Sequence, residues 1–289
     1  MKQAVAVIGG RGFVGKVLVQ ALQSHDYRTY TLTRTEPRNA PNFRACNPYD
    51  VDSLTHALNG CSVVVNLIGI LNNRMLRPGD FKRAHVQCVE NIVAACRQAE
   101  VRRLLHVSAL NATADAPSEY LRSKAQGEQI IRAASDLAST IFRPSVIFGR
   151  DDDFINRFFP LVKFAPGILP LPCADSIFAP VFAGDVAKRM IATIDQPDAA
   201  GRTISLCGPE YWSLRELIAY LARLLDKRLH IVALPAPVSR LLAQMSELVP
   251  GKPFSVDNYL SLQLDSVCGE GDELCSTALT DVVPTYLFR

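Results

Sequence analysis

The 289-residue sequence is short of charge. Asp, Glu, Lys and Arg make up 20% of it, against the roughly 25% typical of soluble domains, and its mean hydropathy is slightly positive at +0.11. It has no run of about 18 apolar residues, which excludes a bilayer-crossing helix. Its eight cysteines (Cys46, Cys61, Cys88, Cys96, Cys173, Cys207, Cys268 and Cys275) form no CxxC pair and no Cys/His cluster with the spacing of a zinc site. No metal site is therefore expected, and buried, reduced thiols are the favoured reading. Internal repeats, low-complexity tracts and a flexible Gly/Ser linker are also missing, which excludes a solenoid and a disordered chain. The first residues run straight into a glycine turn where a secretory signal would carry its small-residue cleavage site. The expected location is cytoplasmic, at most peripheral to the inner face of a membrane.

What is present is enough apolar material, 48% of residues, for a large core. Through Gly149 the chain carries 18 Lys and Arg against 11 Asp and Glu; the remainder carries 13 against 17. The basic first half suits an anionic ligand, while the net charge of only +3 gives no reason to expect nucleic acid. Six prolines precede residue 145 and twelve follow it. That skew predicts a regular unit over residues 1–150 and a smaller, loop-rich region over 151–289 with segments returning to the first.

Short β-branched runs alternate with longer helical patterns. Strands are expected at 4–8, 29–33, 62–68, 103–107 and 140–142, and helices at 14–23, 81–98 and 120–134. Strands that are apolar throughout and separated by helices predict an α/β fold of the Rossmann type, a doubly wound parallel sheet that binds ligands at its carboxyl edge.

The first strand is followed by Gly9-Gly10-Arg11-Gly12-Phe13-Val14-Gly15. This spacing supplies a tight turn, a backbone without Cβ atoms in the way of a pyrophosphate, and a helix N-terminus pointed at it. It predicts a dinucleotide site. A fold that prefers NAD usually places Asp or Glu at the end of the second strand; here stands Thr33-Arg34-Thr35, with Arg38 close behind. A guanidinium suits a ribose 2′-phosphate, so NADP(H) is expected over NAD(H), with Arg34 as the main contact and Arg11 as a second.

Ser108 ends the fifth strand, and Tyr120 and Lys124 share a helix face at i,i+4. In such a set the phenol transfers a proton, the ammonium holds a ribose hydroxyl and lowers the tyrosine pKa, and the serine polarises a carbonyl.

With these residues in view the chain resembles an extended or atypical short-chain dehydrogenase/reductase. Gly9, Gly12 and Gly15 match that superfamily's glycine motif, and Ser108, Tyr120 and Lys124 its catalytic set. Asn66-Leu67-Ile68-Gly69 matches the strand-end segment along the cofactor, which brings in Leu67 and Gly69. Asn91 matches a helix-borne asparagine, Arg143-Pro144 a segment beside the nicotinamide, and Asp185-Val186-Ala187 a later return to the first domain. Asn47 stands near the adenine, where the family often has an acid. The motifs are most similar to the branch that contains the ninth alpha-subcomplex accessory subunit of respiratory complex I. That resemblance implies tight NADPH binding, respiratory-complex partners and a possible link to ubiquinone.

In the second half, residues 154–172 combine Phe154, Phe158, Phe159 and Phe164 with four prolines. The segment either covers the substrate end of the cofactor, favouring a small apolar or quinone-like substrate over a sugar nucleotide, or packs on its own domain. Residues 237–249 place Val238, Leu241, Leu242, Met245, Leu248 and Val249 at helical spacing. That stripe is expected to pack into the core, the alternative being a partner or membrane surface. Six acidic residues from Asp257 to Asp281, with no Lys or Arg among them, read as a solvated face. Three functions are in contention: an NADP(H)-dependent oxidoreductase acting on an apolar carbonyl or quinone, a non-catalytic NADPH-binding accessory subunit, and a sugar-nucleotide epimerase or dehydratase.

Overall fold

A computed structural model describes residues 3–35, 40–71, 79–249, 254–272 and 274–288. Its centre is a seven-stranded parallel sheet. Strands β1 (Ala4–Ile8), β2 (Arg28–Thr33), β3 (Phe43–Ala45), β4 (Val63–Asn66), β5 (Arg103–Val107) and β6 (Ala138–Pro144) are joined by the Thr203–Leu206 strand. The order is Thr203–Leu206, β6, β5, β4, β1, β2, β3. The chain starts in mid-sheet and winds outward both ways, so the strand order reverses at β1, where the glycine loop begins.

The alternation of side chains along each strand builds one core per face. Val5 and Val7 pack with Val63, Val65, Leu105 and Phe142 under helices α1 (Phe13–Ser24) and α7 (Ala183–Ile194). Ala6 and Ile8 turn the other way, to Val64, Leu104 and helices α2 (Val51–Leu58) and α4 (Cys88–Gln98). With both faces covered, β1 and β4 carry no solvated positions beyond Ala4, which explains their uninterrupted apolar sequence. No described helix is long and apolar enough to cross a membrane.

A third core collects the C-terminal half. Helix α6 (Ile155–Phe164) buries Ile155 and Val162 against Leu217 and Leu221 of α8 (Leu214–Leu224) and Val283 and Tyr286 of α11 (Leu279–Tyr286). Phe154 stacks edge-on with Phe158 and Phe178, and Phe159 with Phe288. Residues 154–172 thus pack on their own region. Asp152 anchors the turn into α6: its buried carboxylate accepts N–H groups from Gly149, Phe154 and Ile155 and the Tyr286 hydroxyl.

Three expectations are corrected. Cys207 and Cys268 form a disulfide rather than two free thiols; it ties the end of the Thr203–Leu206 strand to a segment 61 residues later, a juxtaposition no local spacing reveals. Cys46, Cys61, Cys88 and Cys96 are free and buried. The stripe on α9 (Ala236–Ser246) does not enter the core. The helix turns its small residues Ser239 and Ala243 inward, while Leu241, Met245 and Leu248 stay exposed. Helix α10 (Val256–Ser261) packs against it. Finally, the acidic stretch is not simply solvated: Asp257 accepts the Glu119 and Tyr120 N–H groups at the start of a helix, and Asp265 accepts the Ile177 N–H at 3.0 Å.

Candidate functional site

The glycine loop follows β1 at the sheet's carboxyl edge. The Gly9 carbonyl accepts the Gly12 N–H at 3.0 Å, closing the turn. A Cβ at Gly15 would overlap the Gly9 carbonyl oxygen and lie 2.6 Å from the Gly10 Cα, so this helix position tolerates only glycine. Helices α2, α5 (Glu119–Ala133) and α8 have N-termini capped by Asp50, Ser118 and Ser213. Helix α1 starts at Gly12 with no side-chain cap and no acid in its first turn, leaving its amides and dipole turned to the loop. Phe13 and Val14 are half-buried; the Phe13 ring lies against Gly149 and Val14 joins the core, so both shape the loop from below.

Arg34 lies exposed just past β2, and Arg11 is exposed on the loop. Arg38 lies outside the described residues. Sequence reading missed Arg83, whose guanidinium sits 4.1 Å over the Tyr49 ring. The Tyr49 hydroxyl feels the positive charges of both Arg83 and Arg34, opposed by Asp80, although burial still holds its pKa above the usual value. Two cations 49 positions apart thus converge on one edge of the site. Asn47 stands beside them at the end of β3, its side-chain oxygen accepting the Tyr49 N–H at 3.2 Å and its own N–H donating to Ser53.

Beyond β4 the chain runs past the loop, with Leu67 against Gly9 and the Leu67 N–H donating to the Ile8 carbonyl. Gly69 faces the ammonium of Lys124, which would lie 3.2 Å from a Cβ there. Lys124 is buried and donates to the Val107 carbonyl at 3.1 Å, one residue before Ser108. Burial lowers its pKa to about 8, with the nearby Glu128 charge opposing, so it remains an ammonium at neutral pH. Ser108 is 3% exposed and its Oγ has no partner. A buried, unpaired hydroxyl costs about 1–3 kcal/mol, which a bound carbonyl or hydroxyl would recover. The Tyr120 ring packs edge-on against His85 and tilted against Phe81, and its pKa is pushed up to about 12 by burial and then by the Asp257 charge. The expected lowering by Lys124 is not found: the charge that reaches the phenol is an acid's. Tyr120 is therefore fully protonated at neutral pH, the form a proton donor requires.

Helix α10 holds the start of α5 and also reaches the loop after β4. Asp257 of α10 accepts the backbone N–H groups of Glu119 and Tyr120, and Asn258 reaches the Leu71 carbonyl at 3.3 Å. Helix α5 also crosses close to a π-helical turn, Arg83–Gln87, that interrupts the helix preceding β5. A Cβ on Gly127 would overlap the His85 carbonyl oxygen. Gly127→Ala is expected to push the two helices apart and to cost about 1–3 kcal/mol, read as a lower urea midpoint. An unchanged midpoint would show that the contact yields freely.

Three residues matched to the superfamily by resemblance make contacts within the protein. Arg143 donates from Nε and Nη2 to both carboxylate oxygens of Glu128, at 2.8 and 2.7 Å, and to the Ala112 carbonyl. Its guanidinium neutralises a fully buried acid. Pro144 is a buried strand residue whose carbonyl accepts the Leu110 N–H. Asn91 donates to the Pro48 carbonyl at 3.3 Å, and from the π-helical turn just before its helix His85 reaches Ser123 and the Tyr120 ring.

A doubly wound sheet, a glycine loop under an uncapped helix and a Ser/Tyr/Lys set at one edge define a nucleotide-binding α/β protein. Residues 5–207 match the NAD dependent epimerase/dehydratase family, and the chain belongs to it. It is 29% identical over 292 residues to "NADH dehydrogenase [ubiquinone] 1 alpha subcomplex subunit 9, mitochondrial" of Mus musculus, covering 97% of this chain and 73% of that one. It is 28% identical over 240 residues to a "Ceramide reductase" of Caulobacter vibrioides, covering 81% and 74%. Among solved structures it resembles UDP-glucuronic acid 4-epimerase of Bacillus cereus, with a TM-score of 0.71 at 18% identity over 99% of each chain.

Proposed function

We propose that the protein is an NADP(H)-dependent oxidoreductase of an apolar carbonyl or quinone-like substrate. The observation that carries this reading is the buried, unpartnered Ser108 hydroxyl one residue from the carbonyl that holds Lys124. The glycine loop, Leu67 and Gly69 would hold the dinucleotide, with Arg34, Arg83 and Asn47 around its adenosine end. When bound, NADPH supplies a hydride from C4 of its nicotinamide. Ser108 Oγ–H donates to the substrate oxygen, Tyr120 delivers the proton, and Lys124 fixes the ribose hydroxyls. Tyr120 and Leu264 pack against a small apolar cluster of Ala109, Ala116 and Leu121, surroundings that favour an apolar substrate over a sugar nucleotide. The absence of a spanning helix among the described residues fits a cytoplasmic or membrane-peripheral enzyme.

Arg34→Ala is expected to weaken NADPH binding about 10- to 100-fold, the worth of about 1.5–3 kcal/mol of charge-assisted hydrogen bonding, and to leave NADH binding unchanged. Fluorescence titration with both nucleotides checks this. Equal affinity of the wild type for NADH and NADPH would defeat the preference.

A second reading, an accessory subunit that keeps NADPH as a structural ligand, draws support from the exposed apolar face of α9 and from the respiratory-complex relatives. Co-purification of respiratory subunits, together with bound NADPH that decylubiquinone and long-chain ketones fail to oxidise, would favour it.

A further inference from the structure

We propose that His85 is a positioning residue that locks the strand-end loop at Gly69 and Ile70 to the helix carrying Tyr120 and Lys124. Its Nε2 accepts the Ile70 N–H at 3.1 Å, and its Nδ1 lies 2.8 Å from Ser123 Oγ, which donates to the Tyr120 carbonyl at 2.7 Å. The directions follow from the groups themselves. A backbone N–H can only donate, so Nε2 carries no proton; a neutral ring then bears its proton on Nδ1 and donates to the Ser123 oxygen, whose own hydrogen is already given to Tyr120. The chain of three bonds therefore runs one way, from the loop to the catalytic helix, and a charged imidazole would break it at Ile70.

The surroundings enforce that state. His85 is 2% exposed, and its ring is stacked with Phe81 and edge-on to Tyr120. Burial and the adjacent Lys124 ammonium keep it neutral far below physiological pH. The π-helical turn that carries it is a local departure from regular geometry, and such turns concentrate where a side chain must be aimed. His85 Nε2 lies 3.9 Å, and Lys124 Nζ 3.2 Å, from the point a Cβ on Gly69 would occupy, so the imidazole and the ammonium flank the same stretch of loop. Without His85, Ile70 loses its acceptor and the loop loses its fixed height above Lys124.

This inference rests on the dinucleotide reading and makes a split prediction that general destabilisation would not produce. Two probes are used on the intact protein: NADPH, which spans the whole site, and 2′,5′-ADP, which reaches only the Arg34 end. His85→Leu should weaken NADPH binding about tenfold or more, the worth of one or two buried hydrogen bonds, and leave 2′,5′-ADP affinity unchanged. Ser123→Ala should show part of the same split, and in the double variant the two losses should not add. Equal weakening of both probes, or of neither, in a folded His85→Leu protein overturns the proposal. If wild-type protein binds neither probe, the dinucleotide reading itself fails. Should His85→Leu not fold, the nitrogen-15 spectrum of the wild-type ring decides. A neutral imidazole protonated on Nδ1 at pH 7 supports the assignment, and an Nε2–H or charged ring contradicts it.

Discussion

Tyr120→Phe is expected to bind NADPH as the wild type does and to lower turnover by about 10²–10⁴-fold, the usual contribution of a positioned acid. The two halves of this result have separate causes. The ring stays, so its packing against Phe81 and His85 survives, as does the helix start capped by Asp257. The lost hydroxyl is the only group on that ring able to protonate a substrate oxygen. Because burial and Asp257 raise the phenol's pKa to about 12, the wild-type donor is intact across the neutral range. The value of kcat/KM for NADPH, which reports the free protein, should therefore show no tyrosine-linked inflection below about pH 8. Turnover of decylubiquinone or a long-chain ketone unaffected by the substitution would remove Tyr120 from the mechanism.

Glu128→Ala should cost about 3–5 kcal/mol of folding stability, the toll of leaving one partner of a buried ion pair alone. Glu128 is fully buried on α5, where it receives Arg143 through two hydrogen bonds and Arg132 through one. Arg132 is half exposed and can turn to water, but Arg143 is largely covered. Replacing both members with apolar residues, Glu128→Leu with Arg143→Met, should recover much of the loss, because no uncompensated charge remains. Urea unfolding measures both. A single-variant loss under about 1 kcal/mol would mean that water already reaches the pair.

These two residues also mark the limit of what the sequence discloses. Periodicity located β1, β2, β5, α1 and α5 to within a residue or two, because strands buried on both faces and helices facing a sheet have no other pattern open to them. The glycine loop was legible for a similar reason: its spacing is the geometry. The Arg143–Glu128 pair was hidden because a guanidinium beside a nicotinamide and one under a buried glutamate look alike in one dimension. Only the fold brings Glu128 onto the helix face opposite β6. His85, Arg83 and Asp257 lay beyond reach because each acts on an element tens of residues away in the chain. The low charge has three destinations: the doubly covered sheet, the aromatic core around α6, whose Leu161 and Phe164 stay exposed, and the exposed face of α9.

The identity of the nucleotide that the site takes is the most direct test of an NADP(H)-dependent function. Native mass spectrometry of freshly purified protein, followed by chromatography of the released ligand, should find one NADP(H) per chain, retained by wild type and lost from Arg34→Ala. Release of NAD(H) instead, or a wild-type protein that takes up no nucleotide when NADPH is supplied, would contradict it.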